Sequence, residues 1–400
     1  MRTRTLIGVL AAALLVPCAP ANRRADAADA PEAARDRARP AVLHVGANRE
    51  IKLPSAAAQI ARDGDVIEID AGVYQGDAAV WRQHRLTIRG VGGRAHLRAE
   101  GAQAEDKAIW VVKGNDATIE SMEFSGAKVP EQNGAGIRLE GVGLTVRDCY
   151  FHDNENGILT SANPASDIVV ERSEFASNGS GDGYTHNLYI GNARSFRLSY
   201  SYVHHAIVGH NVKSRALRNE ITYNRIMDEN DGRSSYDIDL PNGGLSFVIG
   251  NVIHKGPGSQ NATVVSYGAE GLKHPLNALY FVNNTVVNDR PAGGRFLFVK
   301  AGSDAVRVVN NVFSGRGDVL SGSGELRNNV VAAKSVFVDP KDFDYHLRAG
   351  AAAIGHGVDP GSANGLQLRP TAEYAHKAQK RLRDSAGRLD AGALEYRGGR

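Results

Sequence analysis

Residues 281–286 read FVNNTV, and residues 308–313 read VVNNVF. Six earlier phrases share their shape: TIESMEF (118–124), TVRDCYF (145–151), VVERSEF (169–175), RLSYSYV (197–203), TYNRI (222–226) and VIGNVI (248–253). Aligned, they give two columns. One reads Met122, Cys149, Ser173, Ser201, Asn224, Asn251, Asn284, Asn311; the other reads Phe124, Phe151, Phe175, Val203, Ile226, Ile253, Val286, Phe313. Spacings of 23 to 33 residues mean stacked supersecondary units. The runs are short and alternating, with no helical period, so the unit is a coil of strands. A column of Asn at one bend forms an amide ladder with a rise of about 4.8 Å, and the apolar column is the core beside it. The expected fold is all-β: a single-stranded right-handed parallel β-helix of roughly ten coils with an N-terminal cap.

A second strand follows most phrases: GIRLEG (136–141), GILTSA (157–162), HNLYIG (186–191), HNVKSR (210–215), YDIDLP (236–241), TVVSYG (263–268) and RFLFVK (295–300). SAAAQIARDGD (55–65) reads as a short helix that caps the first coil, because an open coil exposes core and strand edges. Residues 337–359 and 388–398 read as a last coil and a tail that folds back, so residues 41–400 form one β-helix domain.

Taking Leu188, Val212, Ile238 and Val264 as inward places Asn187, Tyr189, Asn211, Lys213, Asp237, Asp239 and Tyr267 outward. Arg215 lies just beyond Lys213, and Glu270 lies in the turn after Tyr267. His186 and His210 precede two of the strands, and four of the 13 His fall between 186 and 210. Tyr189, Lys213 and Asp239 should be neighbours on adjacent coils. One such pair is an ordinary cross-strand ion pair, but a polar cluster of this density marks a ligand site. The candidate catalytic residues are therefore Lys213, Asp239, Asp237, His210 and Tyr189. The candidate substrate-binding residues are Arg215, Asn211, Asn187, His186, Tyr267 and Glu270. Long turns at 176–186, 227–236, 254–262 and 287–295 would wall a groove suited to an extended ligand. Asp228, Glu229 and Asp231 offer oxygen ligands for Ca²⁺.

The bulk numbers fit an exported protein. Of the 400 residues, 42% are hydrophobic and 23% charged, which excludes a disordered chain. Arg2 and Arg4 precede the apolar run 6–16, which is too short to span a bilayer. Residues 1–21 read as a Sec-type signal peptide and 22–40 as a disordered leader, with Cys18 a poor lipoprotein site after Pro17. Removing the signal takes the formal charge from +3 to +1, too small for nucleic-acid binding. It also leaves Cys149 alone, so no intramolecular disulfide forms. The expectation is a secreted or periplasmic monomer that does not touch membrane in its mature form.

NVKSRALRNEITYNRIMD (211–228) followed by YDIDLPNGGLSFVIGNVIHKG (236–256) resembles the central coils of parallel β-helix (pectin-lyase-like) polysaccharide lyases, nearest to the chondroitinase B and alginate lyase type. The phrase Asp390, Gly392, Ala393, Glu395 resembles their ending. The resemblance implies an acidic polysaccharide substrate, β-elimination, and Lys213 as the base that takes the proton α to a uronate carboxylate. It also implies that Ca²⁺ or basic groups neutralise that carboxylate. Where such enzymes carry an Arg-His-Gly step, this chain has Asp239-Leu240-Pro241-Asn242-Gly243.

Two other readings compete. Asp237 and Asp239, two apart on one strand, would hold carboxyls roughly 6.5–7 Å apart, the lower end for an inverting glycoside hydrolase. A uronate epimerase would use a proton donor and acceptor drawn from Lys213, Tyr189 and His210. A non-catalytic glycan-binding β-helix is the alternative outside enzymes.

Overall fold

A computed structural model describes residues 40–383 and 387–398. The expected signal peptide lies outside the described residues, as does the leader up to Arg39. The chain is a parallel β-helix whose coils have three strands, except near the N-terminus, where Val66–Gln75 and Thr87–Arg98 each run through two faces. Leu188–Ile190, Ala193–Ser199 and Tyr202–His204 make one coil and define its first, second and third faces. The first face is a ten-stranded sheet from Ala79–Trp81 to Asp318–Ser321, and the other two faces join in a sheet of 21 strands. Every pairing within these two sheets is parallel, for example Leu188↔Val212↔Ile238.

The repeated phrase is the bend between the second and third faces. Ser121, Asp148, Arg172, Tyr200, Tyr223, Asn283, Asn310 and Asn328 turn there with φ between 47° and 58°. That left-handed conformation costs a non-glycine residue about 1–2 kcal/mol. The next residue offsets it through a ladder. Asn251 Oδ1 accepts from the backbone N–H and side-chain amide of Asn224 at 2.9 and 3.0 Å, and Asn284 does the same for Asn251. The ladder runs on through Asn311 to Asn329. Ser201, Ser173 and Cys149 continue it toward the N-terminus by accepting single N–H bonds. Cys149 is therefore a structural thiol, and burial pushes its pKa up to about 12. The apolar column stacks inside, with Phe124, Phe151 and Phe175 parallel at centroid spacings of 5.0 and 4.8 Å.

Pro54–Ile60 is the capping helix and buries Pro54, Ala57 and Ala58. Three antiparallel hairpins from Phe337 to Leu382 follow the last coil. Phe337, Tyr345, Tyr374 and Leu394 cover Tyr202, Met227 and Val252 of the third face. The closing phrase is a latch. Asp390 accepts from the backbone N–H groups of Gly355 and Tyr396, Ala393 N–H donates to Thr285 Oγ1, and Glu395 pairs with buried Arg383. Among the described residues no helix is long and apolar enough to cross a membrane.

Candidate active site on the first face

Strict register along the first face puts Tyr189, Lys213, Asp239 and Ser266 side by side on four successive coils. All four point outward, because Leu188, Val212, Ile238 and Val265 fill the inward positions and are fully buried. Lys213 stands in the middle. Its ammonium is 3.9 Å from Asp239 Oδ2 and 5.5 Å from the centre of the Tyr189 ring.

Asp239 is the unusual group. Only 3% of it is exposed. Burial pushes its pKa up to about 6, against the pull of Lys213 and the Ser266 hydroxyl. Its Oδ1 lies buried without a well-formed hydrogen bond among the described residues. A buried acceptor left open costs free energy that a bound donor recovers.

His186, His210 and Tyr236 form a second column beside the first. His186 Nδ1 accepts the backbone N–H of His210 at 3.0 Å, and His210 Nδ1 accepts that of Tyr236 at 3.4 Å. The two imidazoles stack at 4.5 Å. These bonds occupy Nδ1 of each ring and place the ring proton on Nε2. His210 thus presents an N–H to Asp239 Oδ2, 3.5 Å away. Burial holds both His well below their usual pKa; His186 and Lys213 add to this at His210, as Lys213 and Arg215 do at His186. Gly209 lets the chain in: a Cβ there would meet the Thr185 carbonyl oxygen at 1.6 Å.

Arg215 is fixed at the other edge. It donates to the Tyr189 hydroxyl at 3.0 Å, to Asn242 Oδ1 at 2.8 Å and to both oxygens of Glu270 at 2.7 and 3.0 Å. Arginine has no acceptor, so Tyr189 receives this bond and its own O–H stays free to donate.

The structure corrects several expectations. Asn187 and Asn211 are fully buried, in a second amide ladder that runs Asn178, Asn187, Asn211, Asp237. They sit at the bend before each strand, where strand alternation does not yet apply. Asp237 ends that ladder, fully buried, with Lys255 Nζ 3.1 Å from its Oδ2. Burial raises its pKa and Lys255 opposes the rise. Asp237 and Asp239 therefore do not share a face, and the carboxylate pair expected for an inverting hydrolase is not formed. His186 is buried behind His210, 2% exposed. Tyr267 pairs with Leu240, points inward and donates to the Gly244 carbonyl at 2.6 Å. The inward residue of that strand is Val265, not Val264, a one-residue slip that reverses every side chain.

The three expected Ca²⁺ ligands also separate. Buried Asp228 accepts from the hydroxyls of Ser234 and Ser259. Glu229 binds the Tyr202 hydroxyl, and exposed Asp231 meets His205 at 3.0 Å. They do not present one oxygen cage for a calcium ion. The sequence reading missed Asn242, Tyr236, Ser266 and Lys255. Asn242 and Ser266 were legible as the outward or following neighbours of Asp239 once the slip is allowed. Lys255 lies on the third face with no pattern to set it apart.

No family model and no curated sequence matches the chain. Among solved structures, the pectate lyase Pel9A superposes with a TM-score of 0.62 at 13% identity, covering 89% of this chain and 96% of its own. The fold is thus that of a pectate lyase β-helix. An alginate lyase from Paenibacillus sp. str. FPU-7 reaches a TM-score of 0.41 at 14% identity over 73% of this chain and 99% of its own, too slight to bear on function.

Proposed function

We propose that this protein is an exported lyase that cleaves a uronate-containing polysaccharide by β-elimination on its first face. The observation that carries the reading is the column Tyr189–Lys213–Asp239, in which a buried carboxylate has one oxygen, Oδ1, without a well-formed hydrogen bond and the other, Oδ2, 3.9 Å from an ammonium. The fold of the pectate lyase supports the substrate class, and the N-terminal sequence pattern supports export.

β-Elimination needs a cation against the substrate carboxylate, a base at the α-carbon and an acid at the leaving oxygen. Lys213 and Arg215 are the cations at this face. Asp239 is the base, since a carboxylate with a pKa near 6 is ionised at neutral pH yet more basic than usual. His210 offers an N–H, not a lone pair, so it positions Asp239. The Tyr189 hydroxyl is the acid. Asp239 takes the α-proton, the C–H electron pair becomes the new C=C bond, the C–O bond to the leaving sugar breaks, and Tyr189 gives that oxygen a proton. This assignment departs from what the lyase resemblance implies, where Lys213 is the base.

The test is incubation with alginate, chondroitin, pectate and glucuronan while absorbance of the unsaturated uronate is followed. New absorbance on one polymer supports the lyase. New reducing ends without absorbance overturn it in favour of hydrolysis, and binding without either overturns it in favour of a glycan-binding module.

A further inference from the structure

The third face carries a separate cluster near the N-terminal end. His96, Glu123 and His152 lie on the three successive strands Thr87–Arg98, Met122–Ser125 and Tyr150–His152. His96 Nδ1 is 3.3 Å from Glu123 Oε1, and His152 Nε2 is 3.2 Å from the same oxygen. One ligand atom from each residue lies within 4.8 Å of the other two. In a tetrahedral zinc site, ligand atoms at about 2.0–2.1 Å from the ion are about 3.3 Å from one another. Two of the three pairs already have that separation.

The rear of each ring is held as well. His96 Nε2 contacts Ser125 Oγ at 2.7 Å, and His152 Nδ1 contacts Asp153 Oδ2 at 2.6 Å. A hydrogen bond behind a ring fixes the tautomer and turns the other lone pair forward, as outer partners of metal-bound histidines do. His152 then faces carboxylates with both nitrogens. When the ring carries a single proton and that proton is on Nδ1, toward Asp153, the Nε2 lone pair points at the Glu123 oxygen. A cation between them resolves that contact. The side chains are 18%, 23% and 19% exposed, so an ion can enter and keep an open position.

We infer that His96, Glu123 and His152 bind a divalent transition-metal ion of the zinc class, which pins three consecutive coils together. Two imidazoles and one carboxylate suit zinc and its neighbours, whereas calcium wants six to eight oxygens. The inference does not depend on the proposed lyase activity, because none of these residues belongs to the first face.

The experiment uses untagged protein stripped with EDTA and dialysed. Titration with Zn²⁺ by calorimetry should show one site per chain, and Co²⁺ should give the visible absorption of a low-symmetry nitrogen–oxygen site. Zn²⁺ should raise the melting temperature by mass action. Glu123→Gln and His152→Ala should each weaken binding at least tenfold, while His204→Ala, on another coil of the same face, should leave the site intact. Melting of each variant in EDTA at the wild-type temperature shows that the fold survives. No binding to the wild type, binding unchanged in both ligand variants, or equal response to Ca²⁺ would overturn the site.

Discussion

The Lys213 ammonium lies 3.9 Å from Asp239 Oδ2, on the adjacent coil of the same sheet face. Lysine as cation and lysine as base make opposite demands on one substitution. Lys213→Arg keeps a cation but supplies no base, since arginine is not deprotonated in proteins. With Lys213 as the cation, Lys213→Arg retains activity within about tenfold and Lys213→Ala loses about 10²–10³-fold in kcat, the scale of one lost electrostatic contact. Steady-state kinetics on the active polymer decides it. Equal loss in both variants would return the base to Lys213.

Asp239 gives a pH signature. Its carboxyl must be ionised to act, so kcat/KM should rise with pH through an inflection near 6. Asp239→Asn should abolish turnover while still binding the polymer. A pH profile flat from 5 to 8 in the wild type would contradict the assignment.

The same group shapes stability with the opposite sign. The folded carboxyl holds its proton to about pH 6, while the unfolded one releases it near 3.8. Between those values the folded state binds more protons, so stability falls as pH rises, by about 3 kcal/mol at most, and then levels off. Asp239→Asn should remove this slope relative to wild type. Urea unfolding at pH 4, 5, 6 and 7 measures the difference.

Lys255 and Asp237 form a fully buried ion pair below the site. Lys255→Met removes the cation that opposes the burial of Asp237, so the carboxyl must take up a proton or stay buried without its partner, and the change should cost about 3–5 kcal/mol. Adding Asp237→Asn should recover much of that loss, because an Asn can continue the ladder from Asn211. Chemical denaturation of the single and double variants tests the coupling.

The ladder makes a graded prediction. Asn251→Ala removes the acceptor of the Asn224 backbone N–H and orphans it, costing about 1–3 kcal/mol for that group alone. Asn251→Ser should cost less, since Ser173 and Ser201 fill the same position on earlier coils. Melting temperatures rank the two.

What the sequence determined by itself is the coil. The columns from Cys149 to Asn311 and from Phe124 to Phe313 are the observed ladder and core, because a stacked fold writes each layer again at a near-constant spacing. The Tyr189, Lys213, Asp239 neighbourhood followed from the same spacing plus strand alternation. The tertiary structure decided what alternation does not govern. Asn187, Asn211 and Asp237 stand at a bend, where the chain turns their side chains inward to satisfy backbone and amide groups. Val264 and Val265 are both apolar and both buried, so only pairing with Ile238 chose the register that turned Tyr267 inside. The partners that raise or oppose each charge, Lys255 under Asp237 and Glu270 against Arg215, come from other faces and loops, and their distances exist only once the coils are stacked.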